Sequence, residues 1–406
     1  MLRHPPDSLA LLYSDMLSWL LGSEWQVESV DRDAEAHEVY VHVGYCGPGP
    51  IYDHTEERRW RHLDTCQYRT FIVCRVPRKV NELGVVRTLP VPWADTHQRI
   101  TTLFECQCID YLVEVRNRSL VARLLELSDD VIDGIYARAS ARGQARQGEQ
   151  ALVHPPIYGQ LGIDEKMYQH PNQMATLVMD LETGVVLAAE QGRSQVSGTQ
   201  ALRSALPLAV QREAVEVIAL DMCDAFIAAA RTELPNAAIV IDRFHLEMRL
   251  NTAIDQTRRR EVHEQPDRLK GNRMWFLRRA QGAAQRATIL DLVHRHSLRT
   301  ARAWIAREDF HALYKCWTVS SAREFLTQWI SDNSTSSVRA IKKVAATFRK
   351  YFEGIVNYFP NRVTNARTER VNGKIKQMII NARGFQSFEH FRNALFFYFG
   401  NLALYP

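Results

Sequence analysis

The stretch 159-GQLGIDEKMYQHPNQMATLVMDLETGVVLAAEQGR-193 decides how the rest of the chain is read. With the preceding Tyr158 it gives three strand-length runs, YGQLGIDEKMY, MATLVMDLETG and GVVLAAEQGR, joined by short turns, with LETG as the clearest hairpin signal. Three antiparallel strands are expected here. The first run carries two adjacent acids, Asp164 and Glu165. Side chains alternate across a pleated strand, so only one of the two faces any given chemistry. Acids in such places are ordinarily solvated turn formers or caps, and the alternative is a metal ligand. The choice depends on what the remaining chain brings to meet them.

Downstream, SGTQALRSALPLAVQ reads as a helix, EAVEVIALDMC as a buried strand, DAFIAAARTEL as a helix and AAIVIDRFHL as another buried strand. Antiparallel strands followed by alternating helix and strand predict an α/β domain with a mixed sheet. Open α/β sheets bind ligands at the carboxyl ends of their strands. Asp164 lies in the first strand and Asp221 at the end of EAVEVIAL, so both are expected at one sheet edge. A third acid, Glu369, stands in NARTERVNGKIK, where Glu369, Asn372 and Lys376 fall at i, i+3 and i+7 and share a helix face. Converging carboxylates repel unless cations neutralise them, and hard oxygen ligands select Mg²⁺ or Mn²⁺ over zinc. Two such ions about 3.5 to 4 Å apart serve phosphoryl transfer. Each acid alone is weak evidence; the order strand-Asp, strand-Asp, helical block, helix-Glu is far more specific.

Upstream, residues 39 to 89 alternate β-branched and aromatic residues between glycine and proline breaks, which predicts a small β-rich unit. From 102 to 146 the period becomes helical, with Ser119 and Ser128 as candidate caps. Two short helices followed by Arg138, Arg142 and Arg146 fit a DNA-reading helix-turn-helix, or else a small helical linker domain. Between 246 and 348 no strand pattern appears. This region is helical, basic and dotted with Trp275, Trp304, Trp317 and Trp329, and reads as a block inserted into the α/β domain. Its arginines include Arg258, Arg259 and Arg260, then Arg268, Arg273, Arg278, Arg279, Arg286, Arg295 and Arg299. They suit a phosphate backbone, although a solvated helix face gives the same count.

Composition limits the classes. The 406 residues are 46% hydrophobic and 24% charged with a net charge of +5, which is ordinary for a folded protein of two or three domains. The seven cysteines are scattered without a C-x-x-C pair, so no disulfide framework is expected. No run approaches the ~18 apolar residues of a membrane helix, and the opening segment lacks the apolar core of a signal peptide. A cytoplasmic protein without a membrane partner is expected.

GIDEKMY, VMDLETG, ALDMCDAF, LPNAAIVIDRFHL and TNARTERVNGKIKQMIINARGFQSFEHFRNALF together resemble the ISL3 family of bacterial insertion-sequence DDE transposases. The resemblance implies an RNase H-like catalytic domain at 151–406 with a helical insertion at about 247–350. It also implies a β-rich module at 1–100 that binds DNA ends and a helix-turn-helix domain at 101–150. Asp164, Asp221 and Glu369 become the catalytic triad that holds two Mg²⁺ (or Mn²⁺) ions. Asp242 and His245 match an acid-x-x-His motif, where His245 contacts a phosphate or a flipped base, or else fixes the strand-to-helix turn. Asn372 belongs with the DNA contacts, and Lys374 and Lys376 would orient scissile phosphates. The implied partners are double-stranded DNA, as terminal inverted repeats and target, and a second copy of the chain. The implied reaction is cleavage at the element's ends and joining of the 3′-OH to another phosphodiester. A structure-specific nuclease on the same fold and a non-catalytic DNA-binding regulator are the alternatives. Family members usually open with a zinc module of two Cys-x-x-Cys or Cys/His pairs. Here the corresponding places read YCGPGP and VPRKVNELG, leaving Cys46 as the obvious ligand, with His54, His62 and Cys66 as improvised substitutes. Zinc is therefore not expected, and the β-rich module should fold on its apolar core.

Overall fold

The computed structural model describes residues 8–169, 171–270, 273–277, 287–291, 298–363 and 366–406, apart from the side chains of 8–9, 268, 274–275 and 366–369. The chain divides into two compact units, one of Met1–Glu149 with Leu402–Pro406, the other of Gln150–Asn401. Among the described residues no helix is long and apolar enough to cross a membrane.

The first unit opens with helix α1 (Ser8–Leu21) and strands β1 (Trp25–Asp33), β2 (Glu38–Tyr45), β3 (Asp53–His54), β4 (Arg58–Thr65), β5 (Tyr68–Cys74), β6 (Pro77–Val80) and β7 (Val86–Thr88). One sheet has the order β1-β2-β5-β4 and a smaller one the order β3-β6-β7. Inward-facing Val41, Val43, Trp60 and Ile72 pack with Trp25 and Trp93. Edge-to-face contacts at 5.0 Å (Trp25 to Trp93) and 5.5 Å (Trp60 to Trp93) fill the centre. Three helices follow: α2 (Thr102–Val115), α3 (Arg118–Leu124) and α4 (Asp129–Val153). Ser128 lies before α4, its Oγ 3.4 Å from the Val131 N–H. The cap of α3 is Asn117 and not Ser119, because the Asn117 carboxamide reaches the Leu120 N–H at 3.0 Å.

The second unit is built on a mixed sheet of β8 (Gln160–Gln169), β9 (Gln173–Asp180), β10 (Val186–Gln191), β11 (Val217–Leu220) and β12 (Ala238–Ile241), in the order β10-β9-β8-β11-β12. The β8, β9 and β10 pairs are antiparallel, whereas β11 runs parallel to both β8 and β12. The three runs of the deciding stretch thus form the antiparallel half. Gly162 in β8 packs closely against a side chain: a Cβ there would stand 2.8 Å from Leu181 Cδ2, and the Leu181 side chain would have to shift. Helices α5 (Gln195–Ala205), α6 (Ala209–Glu213) and α7 (Asp224–Glu233) connect the later strands, and α8 (Arg243–Glu261) leaves β12.

The two sheet faces can be read from the alternation. Leu161, Ile163 and Val178 join Ala201 of α5 and Phe226 of α7 in one core. Leu177 and Met179 join Ile375, Met378 and Phe391 in another, supplied by the helices Ala366–Asn381 and Phe388–Phe399. Between β12 and those helices, α8 and the helices Arg299–Phe310, Val319–Ser334 and Arg339–Lys350 form a block around Trp304, Phe310, Trp329 and Phe348.

Candidate active site

The register of the parallel strands aligns three aspartates. Ala219 pairs with Gly162, so two residues farther along each strand stand Asp221 and Asp164. Leu220 pairs with Ile241, and one residue farther stand Asp221 and Asp242. The three acids thus stand at one level across neighbouring strands, Asp221 and Asp242 just past the ends of β11 and β12 and Asp164 midway along β8, which continues to Gln169. Strand β11 ends at once, because the Asp221 carboxylate accepts the Met222 N–H and its carbonyl accepts the Cys223 N–H at 2.7 Å. Asp242 caps α8 by accepting the Phe244 N–H at 2.9 Å. His245, one turn into α8, lies between the acids, with Nδ1 3.3 Å from Asp221 Oδ1 and Nε2 3.9 Å from Asp242 Oδ2.

Asp164 pairs across the sheet with Leu177, which places it on the face covered by Ala366–Asn381. Its Oδ1 accepts the Glu165 N–H at 2.7 Å. Its Oδ2 accepts Lys166 Nζ at 2.6 Å and Asn372 Nδ2 at 2.8 Å. Lys166 was not singled out from sequence, yet it stands two residues beyond Asp164 and so on the same side of the strand. Asp180, by contrast, accepts the Glu182 and Thr183 N–H groups and belongs to the hairpin turn.

Asp164, Asp221, Asp242, His245, Asn372 and Lys376 share a cleft of about 1050 Å³. Phe244, Met248, Ile379 and Ile380 give it an apolar wall. Lys374 is exposed and is not part of the lining among the described residues. Glu369 lies in the helix that delivers Asn372, three residues before it; its side chain is outside the described residues. Two of the three expected triad acids are therefore seen in one cleft. Among the described residues no three Cys, His, Asp or Glu side chains by themselves form a metal-binding group. The donor chemistry nevertheless fits a hard divalent cation. Lys166 already neutralises Asp164 with a positive charge, and the buried Asn372 Oδ1 has no hydrogen-bond donor among the described residues. Leaving such an acceptor unpaired costs about 1–3 kcal/mol, which a cation would relieve.

The arginines expected on DNA are largely engaged within the protein. Arg138 and Arg142 each bind the buried Glu105 at 2.8 Å, and Arg142 and Arg146 donate to the carbonyls of Leu404 and Tyr405 at 2.6 and 2.7 Å. Arg258, Arg259 and Arg273 surround Asp255 at 3.1, 2.9 and 3.3 Å. Burial raises the Asp255 pKa, but the Arg258 hydrogen bond and the three positive charges outweigh it and hold the carboxyl below its usual range. Arg260 is exposed. Arg278, Arg279, Arg286 and Arg295 lie outside the described residues.

A family model for ISL3-type DDE proteins, described as a transposase, matches residues 161–395, the whole span from β8 to the last helix. The chain belongs to the ISL3 family of DDE transposases. It is 24% identical over 348 residues to the transposase for insertion sequence element IS1001 of Bordetella parapertussis, covering 83% of each chain. It is 23% identical over 361 residues to the transposase for IS1557 of Mycobacterium tuberculosis, covering 81% of this chain and 79% of that one.

A second family model, the zinc-finger of the transposases of IS204, IS1001, IS1096 and IS1165, matches residues 44–80 of this ISL3-family chain. The residues there do not fit zinc. Cys46 and Cys74 are each followed three positions later by Gly49 and Pro77, not by a ligand. Cys74 is buried in the apolar core of the module with Val41, Trp60 and Ile72. His62 is buried and its Nδ1 lies 2.9 Å from Thr101 Oγ1. Other contacts join the strands. Lys79 Nζ donates to Tyr45 Oη at 2.9 Å and to the Pro48 carbonyl, and it stands 4.6 Å from the Tyr45 ring centre. Arg78 pairs with Asp53 across β6 and β3.

Proposed function

We propose that the protein is a DNA transposase that binds the terminal inverted repeats of its element, cleaves at the ends and joins the 3′-OH to another phosphodiester. The observation that carries this reading is the meeting of Asp164, Asp221 and the Asn372-bearing helix in one cleft. The strand order and the acids at the parallel strand ends support an RNase H-like core for this chemistry. Asp164, Asp221 and Glu369 would hold two Mg²⁺ or Mn²⁺ ions, and Asn372 would present its free oxygen beside them. When bound, such ions polarise the scissile phosphate and lower the pKa of the attacking water.

The chain's own groups then have distinct tasks. Asn372 fixes the Asp164 rotamer through Nδ2, and His245 sits where it can hold Asp221 and Asp242 apart or donate to a phosphate oxygen. Lys376 supplies a positive charge to the DNA backbone at the cleft. The apolar wall excludes water from one side of the reacting phosphate. The three helices α2 to α4 are read as a helix-turn-helix, with base recognition assigned to their exposed surfaces and not to the internally bonded Arg138 and Arg142. Two ends require two sites, so the active form is a homodimer.

The test uses labelled duplexes that carry the element's ends. Asp164→Ala and Glu369→Ala should bind the duplex as wild type does while cleavage in Mg²⁺ falls to background. An Ala variant that cuts at the wild-type rate removes that acid from the site. Joined products from the wild type separate a transposase from a nuclease that only cuts.

A further inference from the structure

We infer that the helix Arg339–Lys350 is a phosphate-binding track that receives duplex DNA beside the active site, an inference that rests on the transposase reading. Its sequence, RAIKKVAATFRK, contains no acid. Arg339, Lys342, Lys343, Arg349 and Lys350 are all exposed, while Ile341, Val344, Ala345 and Phe348 are buried. At 3.6 residues per turn the five cations fall within an arc of about 120°, opposite the buried face, and at 1.5 Å per residue they extend over roughly 16 Å. Such a stripe is unusual for a merely solvated face, which ordinarily intersperses acids, because like charges at i, i+4 such as Arg339 and Lys343 repel.

Several other basic residues are held by carboxylates. Arg138, Arg142, Arg258 and Arg259 are neutralised by Glu105 and Asp255. Among the described residues Arg339, Lys342 and Lys343 have no ion-pair partner. Among the described residues Arg349 donates to the neutral Ser334 hydroxyl at 2.8 Å and forms no ion pair. Beyond the other end of the stripe, exposed Arg302 donates to Ser337 at 2.9 Å and adds a further cation.

The track has a fixed end. Lys350 pairs with Asp224, which also accepts the Tyr351 hydroxyl at 2.9 Å, and Asp224 stands three residues after Asp221. A strand of phosphates on the stripe would therefore run toward the edge that carries the acids. The exposed arc holds no aromatic or large apolar residue, which disfavours insertion into a lipid surface. Closely spaced positive charges without shape-specific groups match the duplex backbone, read without regard to sequence.

The test compares full-length wild type with the double variant Lys342→Gln/Lys343→Gln on a duplex of unrelated sequence, by fluorescence anisotropy over a range of salt concentrations. The variant should unfold at the wild-type temperature, bind about tenfold or more weakly at low salt, and lose about two from the slope of log K against log salt. A variant with unchanged affinity and slope overturns the track and leaves the transposase reading standing. A wild type that binds neither this duplex nor an element end overturns both. Loss of binding to phosphatidylserine vesicles, with DNA binding intact, would assign the stripe to a membrane surface instead.

Discussion

At the scale of single residues, the same burial that orders the protein sets its response to acid. Burial, helped by the Arg61 charge, lowers the His62 pKa from 6.5 to about 4. Above the unfolded value both states are neutral, and the imidazole imposes no cost. As pH falls from there toward the folded value, the unfolded chain binds a proton that the folded chain does not, so stability falls by about 1.4 kcal/mol per pH unit at most. Urea unfolding followed from pH 7 to 4 should show this loss, and His62→Gln should flatten it; an equally steep variant would place the sensitivity elsewhere. The residues of the candidate site differed in how legible they were. Asp164 and Asp221 could be found because both end apolar runs, and Asn372 because it shares a helical face with Glu369. Asp242 was legible as part of an acid-x-x-His motif, whereas its role as the cap of α8 is seen in the structure. What sequence could not show was which atoms meet: Lys166 on Asp164, and His245 between two carboxylates.

At the scale of elements, the strands were readable because alternation and turn residues are local signals, and β8 to β12 appear where the apolar runs stand. The arginines were not readable, because their partners are set by packing. Glu105 lies more than thirty positions from Arg138, with a sequence separation of 33, and no periodicity joins them. The N-terminal module shows the same dependence on distant contacts. Lys79 meets Tyr45 and Pro48, and this cross-link joins the segments that flank the missing ligand positions. Purified protein should therefore carry well under one zinc per chain, and excess EDTA should leave its unfolding temperature unchanged. Lys79→Met should remove a hydrogen-bonded cation–π contact worth about 1 kcal/mol, read as roughly 2–4 °C in the midpoint. Stoichiometric zinc, or unfolding by the chelator, would refute the metal-free account.

At the scale of the whole molecule, the helical block interposed between β12 and the last helices must hold its own shape. Its centre contains a buried arginine. Arg307 is 1% exposed, and its Nη1 donates to Asn251 Oδ1 at 2.8 Å and to the carbonyls of Phe276 and Leu277 at 3.2 and 3.1 Å, while Nη2 meets Glu308 at 2.7 Å. Arg307→Met would strand these acceptors, including a carboxylate, and should cost about 3–5 kcal/mol in thermal or urea unfolding. A loss under about 1 kcal/mol would show that water satisfies them instead. The helical character of this block was legible from its lack of strand patterns, but its internal ionic centre was not. Asp164 and its amide partner Asn372 are separated by 208 residues. At roughly 5–20 residues per second, a chain still on the ribosome waits about 10–40 s after making the aspartate before the amide exists. On the transposase reading proposed above, nascent fragments that end before Glu369 and Asn372 lack two residues of the proposed site and should be harmless to the chromosome that encodes them.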